Sequence, residues 1–289
     1  MTLEATVARL TGQDVHRARQ PGGAGGIVEL SDGRRVLAKH SRDPGAIAAE
    51  AAGLAWLAEA GATDVVRVLG HDDDWLVLDY LPPATPAAGD ARMFGRGLAH
   101  LHMAGAPAFG SPPPGGPVDA WIGRAPMRNV PGDDWPGWYA EHRVLPYLRL
   151  AAGTGDLGNG EVALIEAACD ALPVAAGPAV APARLHGDLW SGNVCWSGDP
   201  VRGWLIDPAA HGGHPETDLA MLALFGCPHL DAVLSGYQEV SPLAAGWRER
   251  VGMHQLFPLL VHVVLFGSGF VGQAVSAARS VLRIAQRLT

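Results

Sequence analysis

The sequence L-H-G-D-L-W-S-G-N at residues 185–193 contains an aspartate and, five residues further on, an asparagine, and I-D-P at 206–208 adds a second aspartate. Phosphoryl transfer from a nucleotide needs a group that accepts the hydroxyl proton of the acceptor, and oxygen ligands for the magnesium that bridges the phosphates. Asp188 fits the first role, and Asn193 and Asp207 fit the second. These three residues therefore predict a magnesium-dependent phosphoryl-transfer site.

The order of these residues resembles the protein-kinase catalytic loop, His-x-Asp-Leu-x-x-x-Asn, at every position of the pattern. In the simplest alternative, Asp188 and Asn193 only cap turns and Asp207 begins a helix. That alternative explains each residue singly, but it does not explain their order or the position of Asp207 at the end of an apolar strand. The joint pattern therefore favours a kinase-like site.

A glycine-rich stretch, P-G-G-A-G-G at residues 21–26, follows a segment over 1–20 whose apolar spacing predicts a helix. A glycine cluster that leads into a strand suits a turn whose backbone approaches another group closely. In a kinase-like fold this turn covers the nucleotide phosphates, so Gly23 and Gly25 are candidate nucleotide-binding residues. The G-x-G-x-x-G form is not kept, and a plain flexible hairpin explains the cluster equally well.

An internal ion pair is predicted between Lys39, in a strand over residues 34–39, and Glu50, in a helix over residues 44–60. Glu50 lies on the apolar stripe of that helix, and an unpaired carboxylate that faces inward costs free energy. Lys39 is the obvious partner, and the pair would hold its ammonium against the α- and β-phosphates. The alternative is a partly solvated Glu50 at the edge of the helix.

A hinge between two lobes is predicted near the end of the first third of the chain. Strands are expected over residues 65–69 and 75–80, and the prolines that follow should stiffen the connection. At such a hinge, backbone groups of Asp79, Tyr80 and Leu81 can hydrogen-bond an adenine edge. These residues are therefore candidates for nucleotide binding.

The rest of the chain predicts mainly helices, so residues 1–81 are interpreted as a nucleotide-binding lobe and 82–289 as a catalytic and substrate lobe. Helices are expected over residues 90–103, 138–150, 161–172, 218–225 and within 231–289. The stretch 104–137 is rich in proline and glycine, and it is expected to be irregular and functional, as in a lid. Asp218 is expected to cap its helix and to brace the catalytic loop through backbone amides.

The catalytic loop lacks the features with which protein kinases bind peptides. Gly187 stands where those kinases have an arginine that receives an activation-loop phosphate, and only about ten residues separate Asp207 from the next predicted helix. The acceptor is therefore expected to be a small molecule with a hydroxyl group. His211 and His214 have a spacing that zinc ligands use, but no third ligand lies close in the sequence, so zinc is not expected.

Longer motifs of this chain are similar to the fructosamine kinase, or ketosamine-3-kinase, family, which is related to the aminoglycoside phosphotransferases. The strongest are L-H-G-D-L-W-S-G-N at 185–193, I-D-P-A at 206–209 and G-H-P-E-T-D-L-A-M-L-A-L-F-G at 213–226. Weaker matches are W-I-G-R-A-P-M-R-N at 121–129, E-H-R-V-L-P-Y-L at 141–148 and E-A-A-G-L at 50–54. Trp190 is the most specific mark, because aminoglycoside and choline kinases usually lack it.

The resemblance implies an α+β, two-lobed protein-kinase-like fold with a small antiparallel-sheet N-lobe and a larger, mainly helical C-lobe. It implies a phosphotransferase that uses ATP and Mg²⁺ to phosphorylate the 3-hydroxyl of a free or protein-bound ketosamine, such as a fructosamine or ribulosamine, in deglycation. It also supports the roles given above to the catalytic aspartate, the metal ligands and the Lys39–Glu50 pair. Four further side chains of the motifs are candidates for substrate contact: His186, Trp190, His214 and Glu216.

Two departures from the family pattern fall in segments that are expected to line the acceptor site. The family has threonine-proline-glutamine where this chain has Ala125, Pro126 and Met127, and it often has two aromatic residues near Ala210 and His211. These departures leave the sugar and the amine open. The competing hypotheses are an aminoglycoside or amino-alcohol phosphotransferase and a catalytically inactive nucleotide-binding scaffold.

Composition indicates the setting in which such a protein works. The net charge of −8 argues against a nucleic-acid surface and suits a cationic small substrate. Three cysteines outside any C-x-x-C pair, and no apolar region near the start, predict reduced thiols, no signal peptide and a cytoplasmic location. The apolar run 256–264 is too short to span a membrane and predicts a buried core helix; a monomer or weak dimer without nucleic-acid or membrane partners is expected.

Overall fold

The computed structural model of the protein describes residues 2–19 and 25–289. The N-terminal part contains α1 (Leu3–Thr11), β1 (Val15–Arg19), β2 (Gly25–Leu30), β3 (Arg35–His40), α2 (Ala46–Glu59), β4 (Asp64–Val65), β5 (Val68–His71) and β6 (Trp75–Asp79). Five of these strands form one antiparallel sheet in the order β1-β2-β3-β6-β5. Lys39 lies on β3 of this sheet.

Alternation of side chains along the strands gives this sheet two covered faces. In β2, Val28 and Leu30 are buried, whereas Glu29 between them is exposed. Leu3 and Val7 of α1 pack on the face that contains Val28 and Leu30. The N-terminal helix is therefore held by the apolar pattern of the first strands.

The second helix covers the opposite face of the sheet. Its apolar stripe shares a buried cluster with β6 that includes Ile47, Leu54, Leu57, Leu76 and Leu78. The predicted helix and its apolar stripe are confirmed. Because side chains alternate along β3, Lys39 lies on the same face as Leu37, which also packs against this cluster.

The C-terminal part is mainly helical. It contains α3 (Ala88–Met103), β7 (Asp119–Ile122), β8 (Ala125–Arg128), α4 (Trp135–Tyr139), α5 (Leu145–Gly153), α6 (Asn159–Ala175), β9 (Ala183–Leu185), β10 (Val194–Ser197), β11 (Arg202–Leu205), β12 (His211–Gly213), α7 (Pro215–Leu224), α8 (Leu230–Val240), α9 (Trp247–Phe266) and α10 (Val271–Leu288). A π-helical turn over Ala140–Val144 joins α4 to α5, and 3₁₀ turns lie at Ser191–Asn193 and Ser268–Phe270.

Two buried clusters hold these elements together. One joins α4, α5, α6, α9 and α10, and it contains most of the run 256–264, which confirms the prediction of a buried core helix. The other joins α2, α3, α8 and the β10–β11 hairpin. The hairpin that brings Asn193 and Asp207 together is thus packed against both parts of the chain.

The predicted α+β fold is confirmed, with an antiparallel sheet in the N-terminal part and a larger, mainly helical C-terminal part. The division at residue 81 stays a prediction, because β4 pairs in parallel with β11 across it. Among the described residues, no helix is both long and apolar enough to cross a membrane.

Two N-terminal predictions are wrong. The helix expected over 1–20 ends at Thr11, because Gly12 adopts a left-handed conformation with φ 67° and closes the last turn, after which the chain enters β1. The strand expected over 65–69 is two strands in different sheets. Val66 still donates to the carbonyl of Leu205, whereas the carbonyl of Arg67 already accepts from Asp79 in the five-stranded sheet.

Two C-terminal predictions also need correction. Residues 119–128 are not irregular, because a β7–β8 hairpin buries Ala120, Ile122, Ala125 and Met127 on alternating positions. The helix expected from Asp218 begins at Pro215, and its N-cap is His214. Asp218 therefore does not cap this helix, and its carboxylate is available for the catalytic loop.

Candidate active site

The candidate catalytic loop is positioned by two strand pairings. β9 leads into the loop and pairs antiparallel with β12, with Leu185 opposite His211. Asn193 ends the loop directly before β10, and Asp207 follows β11 after one residue. Because Val194 lies opposite Leu205 in the β10–β11 register, the residues that flank the hairpin are brought side by side.

The three predicted side chains converge on one cavity. The Nδ2 of Asn193 donates to the main-chain oxygen of Asp188 at 2.8 Å and to its Oδ2 at 3.1 Å, and lies 3.4 Å from the carbonyl oxygen of Asp207. All three residues line a cavity of about 310 Å³, together with Lys39 and Glu50. In the described part of the chain, nothing donates a hydrogen bond to Asn193 Oδ1, so this oxygen is open to a ligand.

Asp188 is held in a setting that suits proton transfer near neutral pH. Burial raises the pKa of Asp188 to about 7, the hydrogen bond from Asn193 opposes this rise, and the charges of Asp207 and Asp218 add to it. A general base works best when its pKa lies near the operating pH. The surroundings of Asp188 therefore fit the role that the sequence predicts for it.

Asp218 holds the candidate catalytic loop through hydrogen bonds to its backbone. Its carboxylate accepts the backbone amides of His186 at 2.8 Å and Gly187 at 3.0 Å, and it lies 3.2 Å from His102 Nε2. Burial alone would raise the pKa of Asp218, but the hydrogen bond and charge of His102 and the amide of Gly187 hold the pKa below its usual value. The predicted contact between Asp218 and the loop amides is confirmed.

Backbone geometry explains the glycine before Asp188. Gly187 has φ 83°, and a Cβ at this position would lie 2.1 Å from the carbonyl oxygen of Ala209. Any side chain here would be strained and would collide with the backbone of the neighbouring strand region. The absence of the arginine found in protein kinases is therefore required by the way this loop packs.

Gly187→Ala is expected to lower the free energy of unfolding by about 2–4 kcal/mol, from the left-handed backbone and from overpacking. The same change should lower turnover, because Asp188 is the next residue. Urea unfolding of the variant measures the loss. Gly160→Ala is the control, since nothing lies within 4 Å of a Cβ there, and it should change stability by no more than about 1 kcal/mol. A Gly187→Ala protein as stable as the control would contradict the packing argument.

The predicted ion pair between Lys39 and Glu50 is confirmed. Lys39 Nζ lies 2.7 Å and 2.9 Å from the two carboxylate oxygens of Glu50, and 2.8 Å from Asp207 Oδ1. Burial would lower the pKa of Lys39, but the charges of Glu50 and Asp207 outweigh it, so the pKa is raised. The Glu50 side chain is 16% exposed, which favours the paired interpretation over a solvated residue at the helix edge.

Asp207 adopts a backbone conformation that non-glycine residues rarely use. Its φ is 52°, in the left-handed region, which costs free energy unless the surroundings fix it. The turn directs Asp207 Oδ1 to Lys39, while Oδ2 accepts no hydrogen bond within residues 2–19 and 25–289. Asp207 therefore presents one carboxylate oxygen that is free to bind a cation.

The backbone amides of the three predicted hinge residues differ in whether they are free to bind a nucleotide. The amide of Asp79 donates to the carbonyl of Arg67, and the amide of Tyr80 donates to that of Arg35 at 3.3 Å, so the sheet occupies both donors. The amide of Leu81 makes no hydrogen bond with any described residue. Leu81 is therefore the one amide donor of the three that is open to an adenine edge.

The predicted phosphate-binding glycines are only partly described. Gly23 lies outside the described residues. Gly25 begins β2 opposite Lys39, and a Cβ at Gly25 would lie 2.3 Å from the carbonyl oxygen of Ala38. The close approach that requires a glycine is thus made by β3, and a nucleotide contact of Gly25 stays a prediction.

His186 supports the loop from inside the protein, and substrate contact stays a prediction for it. Its ring is fully buried, Nδ1 lies 3.3 Å from the amide of Asp188, and Nε2 lies 2.9 Å from the carbonyl oxygen of Ile206. Because Nδ1 accepts the amide, Nε2 carries the proton and donates to Ile206. His186 thus ties the residue before Asp207 to the catalytic loop.

Glu216 and His214 are likewise held inside the protein. Glu216 is 6% exposed and accepts Arg250 Nε at 3.0 Å and Nη2 at 2.5 Å, so its carboxylate is not free for a substrate. His214 is 3% exposed and packs against Trp135 and His254. Both side chains serve the packing of α7 on α9, and substrate contact stays a prediction for them.

A cluster of potential metal ligands is formed by His214, Glu216 and His254, which the sequence spacing could not show. His214 Nδ1 accepts a hydrogen bond from the amide of Glu216 at 3.1 Å, so the ring proton lies on Nε2. A protonated Nε2 has no lone pair with which to bind a metal. Arg250 already neutralises the carboxylate. The cluster is therefore interpreted as a buried ion-pair network.

Trp190 lies at the surface, two residues after Asp188. It is 39% exposed, and its ring covers Gly192, where a Cβ would lie 2.2 Å from the indole. Phe225 meets the indole edge-on with 6.3 Å between ring centroids, and His262 packs on Phe225 at 4.7 Å. Trp190 is thus an aromatic surface held by Gly192 and Phe225, and substrate contact stays a prediction for it.

Sequence reasoning missed part of the cavity wall. The β7–β8 hairpin contributes Trp121 and Arg124, which were recognised only as part of a weak motif. The departures at Ala125 and Met127 do not line the acceptor site, because both side chains are buried in the core behind the hairpin. The second departure from the family pattern lies at Ala210 and His211, and Ala210 lines the cavity.

The fold and the site together define a phosphotransferase of the protein-kinase-like class. The chain belongs to the fructosamine kinase family, whose profile matches residues 26–284. A protein of Synechocystis sp. named a probable ketoamine kinase is 32% identical over 297 residues, which cover 98% of this chain and 97% of that protein. Protein-ribulosamine 3-kinase, chloroplastic, of Arabidopsis thaliana is 34% identical over 203 residues, which cover 68% of this chain and 58% of that protein.

Solved structures agree with this assignment. A crystal structure named for a fructosamine-3-kinase of Thermobifida fusca is 46% identical, covers 98% of this chain and 99% of its own, and superposes with a TM-score of 0.90. The gentamicin-APH(2″)-IIa complex superposes with a TM-score of 0.62 over 96% of this chain and 94% of its own. At 10% identity, that second likeness concerns the fold alone.

Proposed function

We propose that this protein is an ATP-dependent kinase that phosphorylates a hydroxyl of ketosamines, at the 3-hydroxyl of a fructosamine or ribulosamine. The observation that carries the proposal is the convergence of Asp188, Asn193 and Asp207 with the Lys39–Glu50 pair on one cavity. The names of the relatives support the class of acceptor.

Each residue of the cavity has a role in this proposal. Asp188 accepts the proton of the attacking hydroxyl, and Lys39, oriented by Glu50, holds the α- and β-phosphates. Asn193 Oδ1 and the free Oδ2 of Asp207 would hold Mg²⁺, since amide and carboxylate oxygens are its usual protein ligands. When bound, the ion neutralises charge on the phosphates. The open oxygens on both residues are the structural observation that fits a hard cation.

The acceptor end of the cavity supports a compact, cationic substrate. Asp188 places a carboxylate there, and the amine of a ketosamine carries a positive charge at neutral pH. Trp190, two residues after Asp188, offers a ring on which a sugar or a protonated amine can rest. Phosphorylation at the 3-hydroxyl would make the adduct break down and free the amine, which links the activity to deglycation.

A release assay for ADP across several acceptors tests the proposal. Ribulosyl-lysine and fructosyl-lysine should support Mg²⁺-dependent ADP release at least about tenfold above the rate without acceptor, a difference of about 1.4 kcal/mol in barrier. Kanamycin and choline serve as acceptors of the competing class. Turnover of either at a higher kcat/KM than both ketosamines would overturn the proposed acceptor, and no release with any of them would favour an inactive scaffold.

A further inference from the structure

Arg124 is a charged residue of the cavity to which the proposed chemistry gives no role. It lies at the tip of the β7–β8 hairpin, directly after Gly123, and it lines the same cavity as Lys39 and Asp188. The backbone at Gly123 lies against α9, since a Cβ there would be 3.4 Å from Leu265. Arg124 therefore belongs to the share of the cavity wall that the C-terminal part contributes, whereas Lys39 comes from the N-terminal sheet.

The hairpin that carries Arg124 is anchored on both sides. Trp121 Nε1 donates to the carbonyl of Pro44, just before α2, at 3.1 Å. Tyr147 donates to the carbonyl of Pro126 at 2.6 Å, and the buried Arg143 donates to that of Arg128 at 2.9 Å. The backbone of the hairpin that carries the exposed Arg124 is thus held in place before any ligand binds, which lowers the cost of ordering this segment on binding.

The two cations of the cavity wall, Lys39 and Arg124, differ in whether a described residue pairs with them. Lys39 already bonds Glu50 and Asp207. Within the described ranges, the guanidinium of Arg124 makes no hydrogen bond and no ion pair, although it is the second cation of the cavity wall. Arg128 on the same hairpin differs, because it pairs with Asp119 at 3.4 Å and lies outside the cavity wall.

We propose that Arg124 binds an oxyanion carried by the reactants. The planar fork of a guanidinium matches the paired oxygens of a phosphate or a carboxylate. Two sources are open, namely the transferred phosphoryl group and a carboxylate on the amine part of the acceptor, as in a glycated amino acid. The inference rests on the proposed function for the second source only, because the first requires a nucleotide alone.

Arg124→Gln, with Arg128→Gln as the matched control, separates the two sources. In the nucleotide arm, the Kd of Mg²⁺·AMP-PNP and of Mg²⁺·ADP is measured by calorimetry for each variant. In the acceptor arm, KM is measured for N-fructosyl-glycine and for N-fructosyl-glycinamide, which lacks the carboxylate. Loss of a charge-assisted hydrogen bond should weaken binding about ten- to hundredfold in the arm that contains the true ligand.

Each result decides between these sources. A rise in Kd for AMP-PNP but not for ADP assigns Arg124 to the phosphoryl group, and a rise in KM for the glycine adduct alone assigns it to the acceptor carboxylate. Changes below twofold in both arms, or equal changes in both variants, overturn the role of Arg124. A wild-type protein that phosphorylates neither adduct excludes the acceptor source, and the nucleotide arm then decides whether Arg124 binds an oxyanion; the proposed function itself is contradicted only if ribulosyl-lysine is not phosphorylated either.

Discussion

Asp188→Asn is expected to lower kcat with a ketosamine acceptor about 10²–10⁴-fold, the usual contribution of a general base. The amide cannot accept the hydroxyl proton, yet it has nearly the same shape and can still bond Asn193. The pair of Lys39 and Glu50 is untouched, so the Kd of ATP should change by less than about threefold. Steady-state rates and calorimetric titration of ATP measure the two quantities.

Asp170→Asn is the control for this experiment, because Asp170 is an exposed residue of α6, outside the cavity wall. It should leave kcat and the Kd of ATP unchanged. An Asp188→Asn protein that keeps more than about a tenth of wild-type kcat would assign the proton to another group or to water. A large rise in the Kd of ATP would show instead that Asp188 mainly shapes the nucleotide site.

Arg250→Met is expected to destabilise the protein by about 3–5 kcal/mol, because it leaves the buried carboxylate of Glu216 without its partner. The guanidinium is almost buried and bonds both oxygens of Glu216. Arg287→Met is the matched control, since the pair of Arg287 with Glu249 is exposed and should contribute less than about 1 kcal/mol. Equal losses in urea unfolding of the two variants would contradict the burial argument.

The same ion pair predicts how stability changes with pH. Burial would raise the pKa of Glu216, but the nearby His254 and the hydrogen bonds from Arg250 outweigh it and lower the pKa to about 2, against an ordinary value of 4.5. A carboxylate with a depressed pKa stabilises the fold above its ordinary pKa, and this contribution is lost as the pH falls from about 4.5 towards 2.

Glu216→Gln, which cannot titrate, tests that pH dependence. Between pH 6 and pH 3 the wild type should lose about 2 kcal/mol more unfolding free energy than the variant, from the linkage between protonation and folding. Unfolding curves at the two pH values measure the difference. Parallel losses in both proteins would mean that Glu216 titrates normally in the folded state.

The proximity of the candidate catalytic and metal-binding residues could be predicted from sequence because local spacing encodes it. Asp188 and Asn193 lie on one loop. The short β10–β11 hairpin then returns the chain to Asp207, so the formation of this hairpin is enough to bring the three residues close together. The pair of Lys39 and Glu50 followed from a carboxylate on the apolar stripe of a helix. Burying an unpaired carboxylate costs free energy, so a glutamate on an apolar stripe indicates that a cationic partner lies nearby.

The supports of the site could not be found in this way. Arg250 lies 34 residues from Glu216, and neither position has a local pattern that connects them. His186 belongs to the same motif as Asp188, and His214 belongs to the motif at 213–226; the sequence alone did not separate residues that hold the loop from residues that face the cavity. Arg124 sits between glycine and a buried strand residue, and only the tertiary position of its hairpin brings it to Asp188.

Two-dimensional ³¹P–¹H correlation of the product made from ribulosyl-lysine, ATP and Mg²⁺ tests the central claim most directly. The proposed reaction places the new phosphate on the sugar, so its phosphorus signal should couple to the proton on carbon 3, and the signal should vanish when Mg²⁺ is removed. A phosphorus signal that couples to another sugar carbon would contradict the assigned hydroxyl. ADP formation with neither a phosphorylated sugar nor free lysine released from the adduct would contradict kinase activity on ketosamines.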